Sequence, residues 1–280
     1  MNYQSAISAD SVETLSSQGW LLLSLSHQSQ EVIGKTYSVA AAFFRSSLDE
    51  KNSSRLPEDI GYRPEGIEYS QSPGHPDPIE SFTADLRTCD AILSLPSVGA
   101  RNLYEQMQAT IGVLEPLAES LIQQLAKKFS GRDCAHLVGG SRRWSCLQVN
   151  YSRPAETRSS FIHEEHEDGH LLTILSANQP GLEIEVTRNL FEPIHPSSEQ
   201  VLVMPGEILW LLTGGRIKPL YHRVRPHADH FDRMALLFFV DIDPTLCEPW
   251  VRSELNEGVD IGDRVLTNAL RFGLDPYRQE

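Results

Sequence analysis

After Gly139 and Gly140 the sequence breaks into short runs of β-branched and large apolar residues, each bounded by turn residues: SCLQVNY, LLTILSA, LEIEV, QVLVM, ILWLLT and MALLFFVDI. Strands this short and numerous do not suit a parallel α/β sheet, and helices precede them, so they predict a two-sheet jelly roll with an N-terminal helical layer. No repeat of solenoid length and no low-complexity tract appears.

The residues ahead of these runs have another character. Asp10 to Gly19 carries an N-cap candidate, apolar Val12 and Leu15 and a closing glycine, which predicts a helix feeding the strand WLLLSL. Val32, Tyr37, Ala40, Phe43, Phe44 and Leu48 fit one face of a helix from Gln30 to about Asn52. Pro and Gly are so dense in GYRPEGIEYSQSPGHPDPIESF that no regular element is expected there, and a loop of that length is usually functional. Residues 100–129 place Leu103, Met107, Ile111, Leu114, Ala118, Leu121, Ile122 and Leu125 three and four apart, a helix that Pro116 should kink or split. Val259–Leu274 is amphipathic and predicts a helix over the mouth of the barrel. The expectation is one mainly-β domain with helical additions: an N-terminal helical region over residues 1–135, a jelly-roll core over 136–245 and a C-terminal helical extension over 246–280.

Charge narrows the partners. Asp and Glu outnumber Lys and Arg by 38 to 24, and no basic run exceeds Lys127-Lys128 and Arg142-Arg143, so a nucleic-acid footprint is not expected and a small molecule is. Nothing approaches a membrane span, and MNYQSAISADSVE lacks the basic and apolar regions of a signal peptide, so the expected compartment is the cytoplasm. Cys89, Cys134, Cys146 and Cys247 show no CxxC spacing and read as reduced packing residues. Oligomeric state has no sequence signal.

Four His-x-Asp pairs occur: His75/Asp77, His166/Asp168, His227/Asp229 and His230/Asp232. The first lies in a Pro-rich loop that would not hold two ligands rigidly, and the last two lie in a turn. His166/Asp168 directly precedes the strand LLTIL, so both side chains can point one way. A third ligand from a neighbouring strand is then needed, and His222 begins HRV after the turn TGGRIKPL. Two imidazoles and a carboxylate on a β scaffold make a three-sided metal site with open positions for cosubstrate and O₂. Taken alone, His166 is as often a solvated loop histidine among carboxylates.

With these motifs in view, the chain resembles the isopenicillin N synthase-like branch of the non-haem iron(II), 2-oxoglutarate-dependent dioxygenases, built on a double-stranded β-helix. The matching pieces stand in the family's order over nearly the whole length: FFRSSLDEK, GYRPEG and ESF, LQVNYSRP, HEDGHLLTIL with GLEI, PGEILWLLTGGRIKPLYHRV, and DRMALLFFV. The resemblance implies His166, Asp168 and His222 as iron(II) ligands and Arg233 as anchor of the distal carboxylate of 2-oxoglutarate. A planar guanidinium suits that carboxylate. The implied reaction consumes O₂ and 2-oxoglutarate, releases succinate and CO₂, and hydroxylates, desaturates or cyclises a small metabolite, amino-acid-like or from a specialised pathway.

The chain departs from the pattern in three places. The family's Arg-x-Ser is Arg233, Met234, Ala235 here; its NYY is Asn150, Tyr151, Ser152; and Gly169 follows Asp168 directly instead of standing two residues on. Asn150, Ser152 and Ala235 therefore flank a cosubstrate site that lacks two polar contacts, each worth about 1.5–3 kcal/mol. Substrate contacts are open among Arg142, Arg143, Arg153, Arg158, Arg188 and Arg216, most of them surface charges, with Tyr62, Tyr69 and Trp210 as packing or pocket residues. His163, His170, His227 and His230 read as solvated histidines, and Cys146 reads as core. Competing functions are an oxidase of the same fold that does not use 2-oxoglutarate, a jelly-roll binding module, and a zinc hydrolase with Glu164, Glu165 or Glu167 as base.

Overall fold

The computed structural model describes residues 7–56, 60–85, 89–131, 144–154, 160–226 and 232–274. Ser8 caps helix α1 (Ala9–Gln18), and Gly19 ends it at φ 82°, a left-handed turn that a glycine makes without strain. β1 (Leu21–Ser24) follows. The single helix expected over 30–52 is two: α2 (His27–Phe44) and α3 (Leu48–Asn52), because Ser47 accepts from the Glu50 amide and starts a new helix. Leu48 is accordingly 65% exposed and leaves the apolar face.

The Pro-rich stretch is regular at both ends. Gly61–Arg63 (β2) and Glu80–Asp85 (β3) pair antiparallel, and the prolines and glycines form the connection between them. After α4 (Cys89–Leu93) comes α5 (Val98–Ser130), one unbroken helix that contains Pro116. Proline removes one backbone donor there, but burial of Leu103, Met107, Ile111, Leu114, Leu121 and Leu125, at about 1.5–3 kcal/mol each, outweighs the loss.

The remaining strands are β4 (Cys146–Ser152), β5 (His163–His166), β6 (Leu172–Ala177), β7 (Leu182–Thr187), β8 (Leu190–Pro193), β9 (Gln200–Pro205), β10 (His222–Val224) and β11 (Arg233–Val240). Among the described residues they form two antiparallel sheets, in the orders β1-β9-β6-β11-β4-β3-β2 and β5-β10-β7-β8. ILWLLT, expected as a strand, is helix α6 (Glu207–Leu212). Ile208, Leu209, Leu211 and Leu212 are all buried, a pattern that does not tell a short helix from a buried strand. The chain closes with α7 (Ile261–Thr267) and a 3₁₀ turn, Asn268–Phe272.

Alternation along the large sheet divides the core in two. Leu147, Val149, Tyr151, Leu236 and Phe238 pack with α1, α2 and α5 in the larger cluster. Leu175, Ala235 and Leu237 of the large sheet meet Leu182 of the small sheet in a second cluster, and between the sheets lies the cavity that holds the site. This is a jelly roll with a helical layer on one face and a C-terminal segment at the cavity.

Candidate active site

β5 and β10 are neighbours in the small sheet, and their register makes His166 and His222 direct cross-strand partners, with ring centroids 4.3 Å apart. Asp168 sits in the turn between β5 and β6. Its Oδ1 lies 3.9 Å from Nε2 of both histidines, and one ligand atom from each residue falls within 4.8 Å of the others. Nδ1 of His166 donates to the Glu164 carbonyl at 2.7 Å, and Nδ1 of His222 donates to the Leu220 carbonyl at 3.1 Å. Those bonds fix both rings with the Nε2 lone pair turned toward Asp168. Burial, with His222 beside it, lowers the His166 imidazole to about 3. Burial works to raise Asp168, but the two histidines and the Thr173 hydroxyl outweigh it and keep the carboxyl below its usual range.

The turn carrying Asp168 is held by its surroundings. The Glu207 amide at the start of α6 donates to the Asp168 carbonyl at 2.9 Å, and the Ile208 amide donates to that of His170 at 3.2 Å. A Cβ on Gly206 would stand 2.2 Å from the His170 carbonyl oxygen and 2.4 Å from that of Asp168, so only glycine lets α6 approach so closely. Gly169 has an equivalent reason, since a Cβ there would fall 1.7 Å from Oδ1 of Asn268. The shifted glycine thus makes room for the C-terminal segment. Arg271 adds an ion pair to Glu167 and a 2.9 Å bond to Glu207, and Phe272 sets its ring edge-on to His166.

Arg233 begins β11 opposite Ser152, and Ala235 pairs with Asn150. Arg233 is 5% exposed, its Nε donates to the Pro180 carbonyl at 3.1 Å, and its Nη2 is buried with no partner. Burial, opposed only by Tyr37, brings this guanidinium down to about 10, with no carboxylate among the causes. A buried cation without a counter-ion is costly, so this end of the cavity suits an anion. Ser152 reaches only the Arg233 carbonyl, at 3.5 Å.

The cavity has about 1060 Å³ of empty space, some of it open to solvent, and is lined by the three candidate ligands, Arg233, Asn150 and Ala235 among others. Two histidines expected in solvent are instead paired: His163 with Asp77 at 2.8 Å and His170 with Asp241 at 2.6 Å. Tyr69 lines the cavity, whereas Tyr62 is a packing residue that donates to Glu80, and Cys146 is buried at the cavity wall. Trp210 packs at the edge of the larger core. Arg153 pairs with Glu80, and Arg188 and Arg216 are exposed away from the cavity. Arg142, Arg143, Arg158, His227, Asp229, His230 and Cys134 lie outside the described residues. Glu164, Glu165 and Glu167 do not line the cavity, and Glu167 is held by Arg271, so none of these three is placed as a hydrolase's base.

Residues 143–242 match the family model of the 2OG-Fe(II) oxygenase superfamily. By this segment the chain is similar to that superfamily. The segment runs from just before β4 to just past β11 and so contains the three candidate ligands and Arg233. Among curated relatives, a gibberellin 2-beta-dioxygenase of Phaseolus coccineus is 24% identical over 229 residues, 75% of this chain and 65% of that one. The 2-oxoglutarate-dependent dioxygenase ecdG of Aspergillus rugulosus is 38% identical over 88 residues, 30% of this chain and 26% of that one. Both matches span less than two thirds of the relative's length. The same fold recurs in a Neurospora crassa protein solved in complex with alpha-KG and 5-formyluracil, at a TM-score of 0.73 and 14% identity over 92% of this chain and 87% of that one.

Proposed function

We propose that the chain is an iron(II) and 2-oxoglutarate-dependent oxygenase that oxidises a C–H bond of a small metabolite. The observation that carries this reading is the buried, partnerless Nη2 of Arg233 in the same cavity as a two-histidine, one-carboxylate cluster. A donor set of two imidazole nitrogens and one carboxylate oxygen fits iron(II). Bound there, iron with 2-oxoglutarate and O₂ would supply the oxidising power, with succinate and CO₂ released. His166, Asp168 and His222 would hold the metal on one face and leave the opposite face to the cavity. Arg233 would take the distal carboxylate of the cosubstrate through two parallel N–H donors, with Ser152 and Ala235 beside it, where two small side chains leave the guanidinium to carry that end. Apolar Leu175, Leu182, Val224 and Leu237 line the cavity around these groups and exclude water.

No described helix is long and apolar enough to cross a membrane. Cys89 and Cys247 are free cysteines, and a reducing, cytoplasmic setting belongs to this proposal. Succinate release from 2-oxoglutarate by the iron-loaded protein tests the reading: His166→Ala or His222→Ala should abolish both iron retention and succinate. Equal succinate release by those variants would overturn it.

A further inference from the structure

Two aromatic residues from distant parts of the chain meet at the cavity. Tyr69 comes from the connection between β2 and β3, Phe272 ends the C-terminal 3₁₀ turn, and both line the cavity. The Tyr69 amide donates to the Phe272 carbonyl at 3.4 Å, which holds the two segments side by side. The Tyr69 ring lies so close to Gly273 that a Cβ there would stand 2.5 Å from its Cε1, and Gly273 itself sits at φ 80°, so glycine is needed on both counts. Phe272 sets its ring edge-on to His166, with centroids 6.1 Å apart, and carries this aromatic wall up to the metal cluster. Ile60, Ala269 and Leu274 add aliphatic surface to the same cavity.

The charges around this wall are matched within the protein. Arg63 meets Glu68 at 2.8 Å, His163 meets Asp77 at 2.8 Å and His170 meets Asp241 at 2.6 Å. Outside the metal cluster, Arg233 alone of the described charged residues lining the cavity has no ion-pair partner, and in the proposed function the cosubstrate takes it. A second anion would find no spare cation there, and a net charge of -14 would repel it. A cation would have to displace Arg63 from Glu68 or His163 from Asp77. Nearby hydroxyls are committed as well, since Ser70 donates to Asp77 at 2.7 Å and Thr83 donates to Gln148 at 3.0 Å. The Tyr69 hydroxyl differs from these, with no hydrogen-bond partner among the described residues.

Resting on the oxygenase reading above, we infer that Tyr69 is a specificity-determining residue, and that the primary substrate is an uncharged, largely apolar ring compound bearing a carbonyl or hydroxyl oxygen. Phe272 and the aliphatic side chains take the ring, and the Tyr69 hydroxyl donates to the oxygen. Charged analogues are rejected because an ion entering this wall loses its water and gains no partner.

The test is anaerobic equilibrium dialysis of the full chain, loaded with iron(II) and saturated with 2-oxoglutarate, against four probes that share one skeleton: 1-tetralone, tetralin, 1-aminotetralin and tetralin-1-carboxylate. The neutral ketone should bind at least about tenfold more tightly than the ammonium or the carboxylate. Tyr69→Phe should weaken 1-tetralone about three- to tenfold, the worth of one neutral hydrogen bond, and should leave tetralin, which has no oxygen, within about twofold. A residue that only packs would move both probes together, and that outcome overturns the role of Tyr69. Tighter binding of the carboxylate or the ammonium overturns the substrate class. So does failure of 1-tetralone to bind while the visible band of the iron chelate is present. Absence of that band in the parent protein instead strikes the oxygenase reading, and this inference with it.

Discussion

The hydroxyl of Thr173 donates to Oδ2 of Asp168, and Oδ1 is the oxygen that lies 3.9 Å from both imidazoles. Thr173 is the second residue of β6 and is fully buried, so a rigid strand decides which carboxylate oxygen faces the candidate metal. Thr173→Val keeps the shape and removes the bond. Affinity for cobalt(II), titrated as a spectroscopic stand-in for iron(II), should fall about 10- to 100-fold, and Thr173→Ser should restore most of it. Unchanged affinity in the valine variant would make Thr173 a packing residue only.

The partnerless Nη2 of Arg233 gives a second expectation. Replacing it by alanine removes up to two charge-assisted bonds of about 1.5–3 kcal/mol each, so the half-saturating 2-oxoglutarate concentration should rise on the order of a hundredfold. The primary-substrate requirement should move far less. Only the cation binds a carboxylate, and burial has brought this group down to about 10. Affinity should therefore hold through neutral pH and decline as pH climbs toward and past 10, which equilibrium binding across that range checks.

How much of this is legible in the sequence depends on distance along the chain. His166 and Asp168 can be read because they stand two apart before an unmistakable strand, and His222 because a turn and the strand HRV frame it. Asp77 cannot, because its partner His163 is 86 residues away and the loop holding it has no periodicity. The same holds for Asn268, which meets His170 98 residues back and alone explains the position of Gly169. ILWLLT reads as a strand in the sequence but folds as a helix, and a short, mostly buried element has no period by which to tell the two apart. The proposed cosubstrate end is half legible: Arg233 stands out, but its lack of any pairing carboxylate requires the folded surroundings.

Gly169→Ala should unseat the C-terminal segment. The added methyl would overlap the Asn268 amide, so Asn268 must leave its contact with His170. A destabilisation of about 1–3 kcal/mol is expected, with earlier proteolytic cleavage near residues 261–274. Identical cleavage rates would show that the segment adapts without leaving.

Lys51 is 1% exposed and paired with Glu80, which also accepts from Tyr62 at 2.6 Å and from Arg153 at 2.8 Å. Lys51→Met leaves a buried carboxylate short of its partner and should cost about 3–5 kcal/mol in urea unfolding, whereas changing Lys51 and Glu80 together to Met and Leu should recover some of it. A double variant no better than the single one would place the cost in packing.

The most direct measurement is an anaerobic titration of the iron(II)-loaded protein with 2-oxoglutarate, following the visible charge-transfer band of a chelated 2-oxo acid. A saturable band that disappears in Asp168→Ala and shifts to much higher concentration in Arg233→Ala is the predicted result. Bound iron with no band at any concentration would contradict the account, and would point to an oxidase whose own substrate is the sole reductant, its cosubstrate pocket lost with the small side chains Ser152 and Ala235.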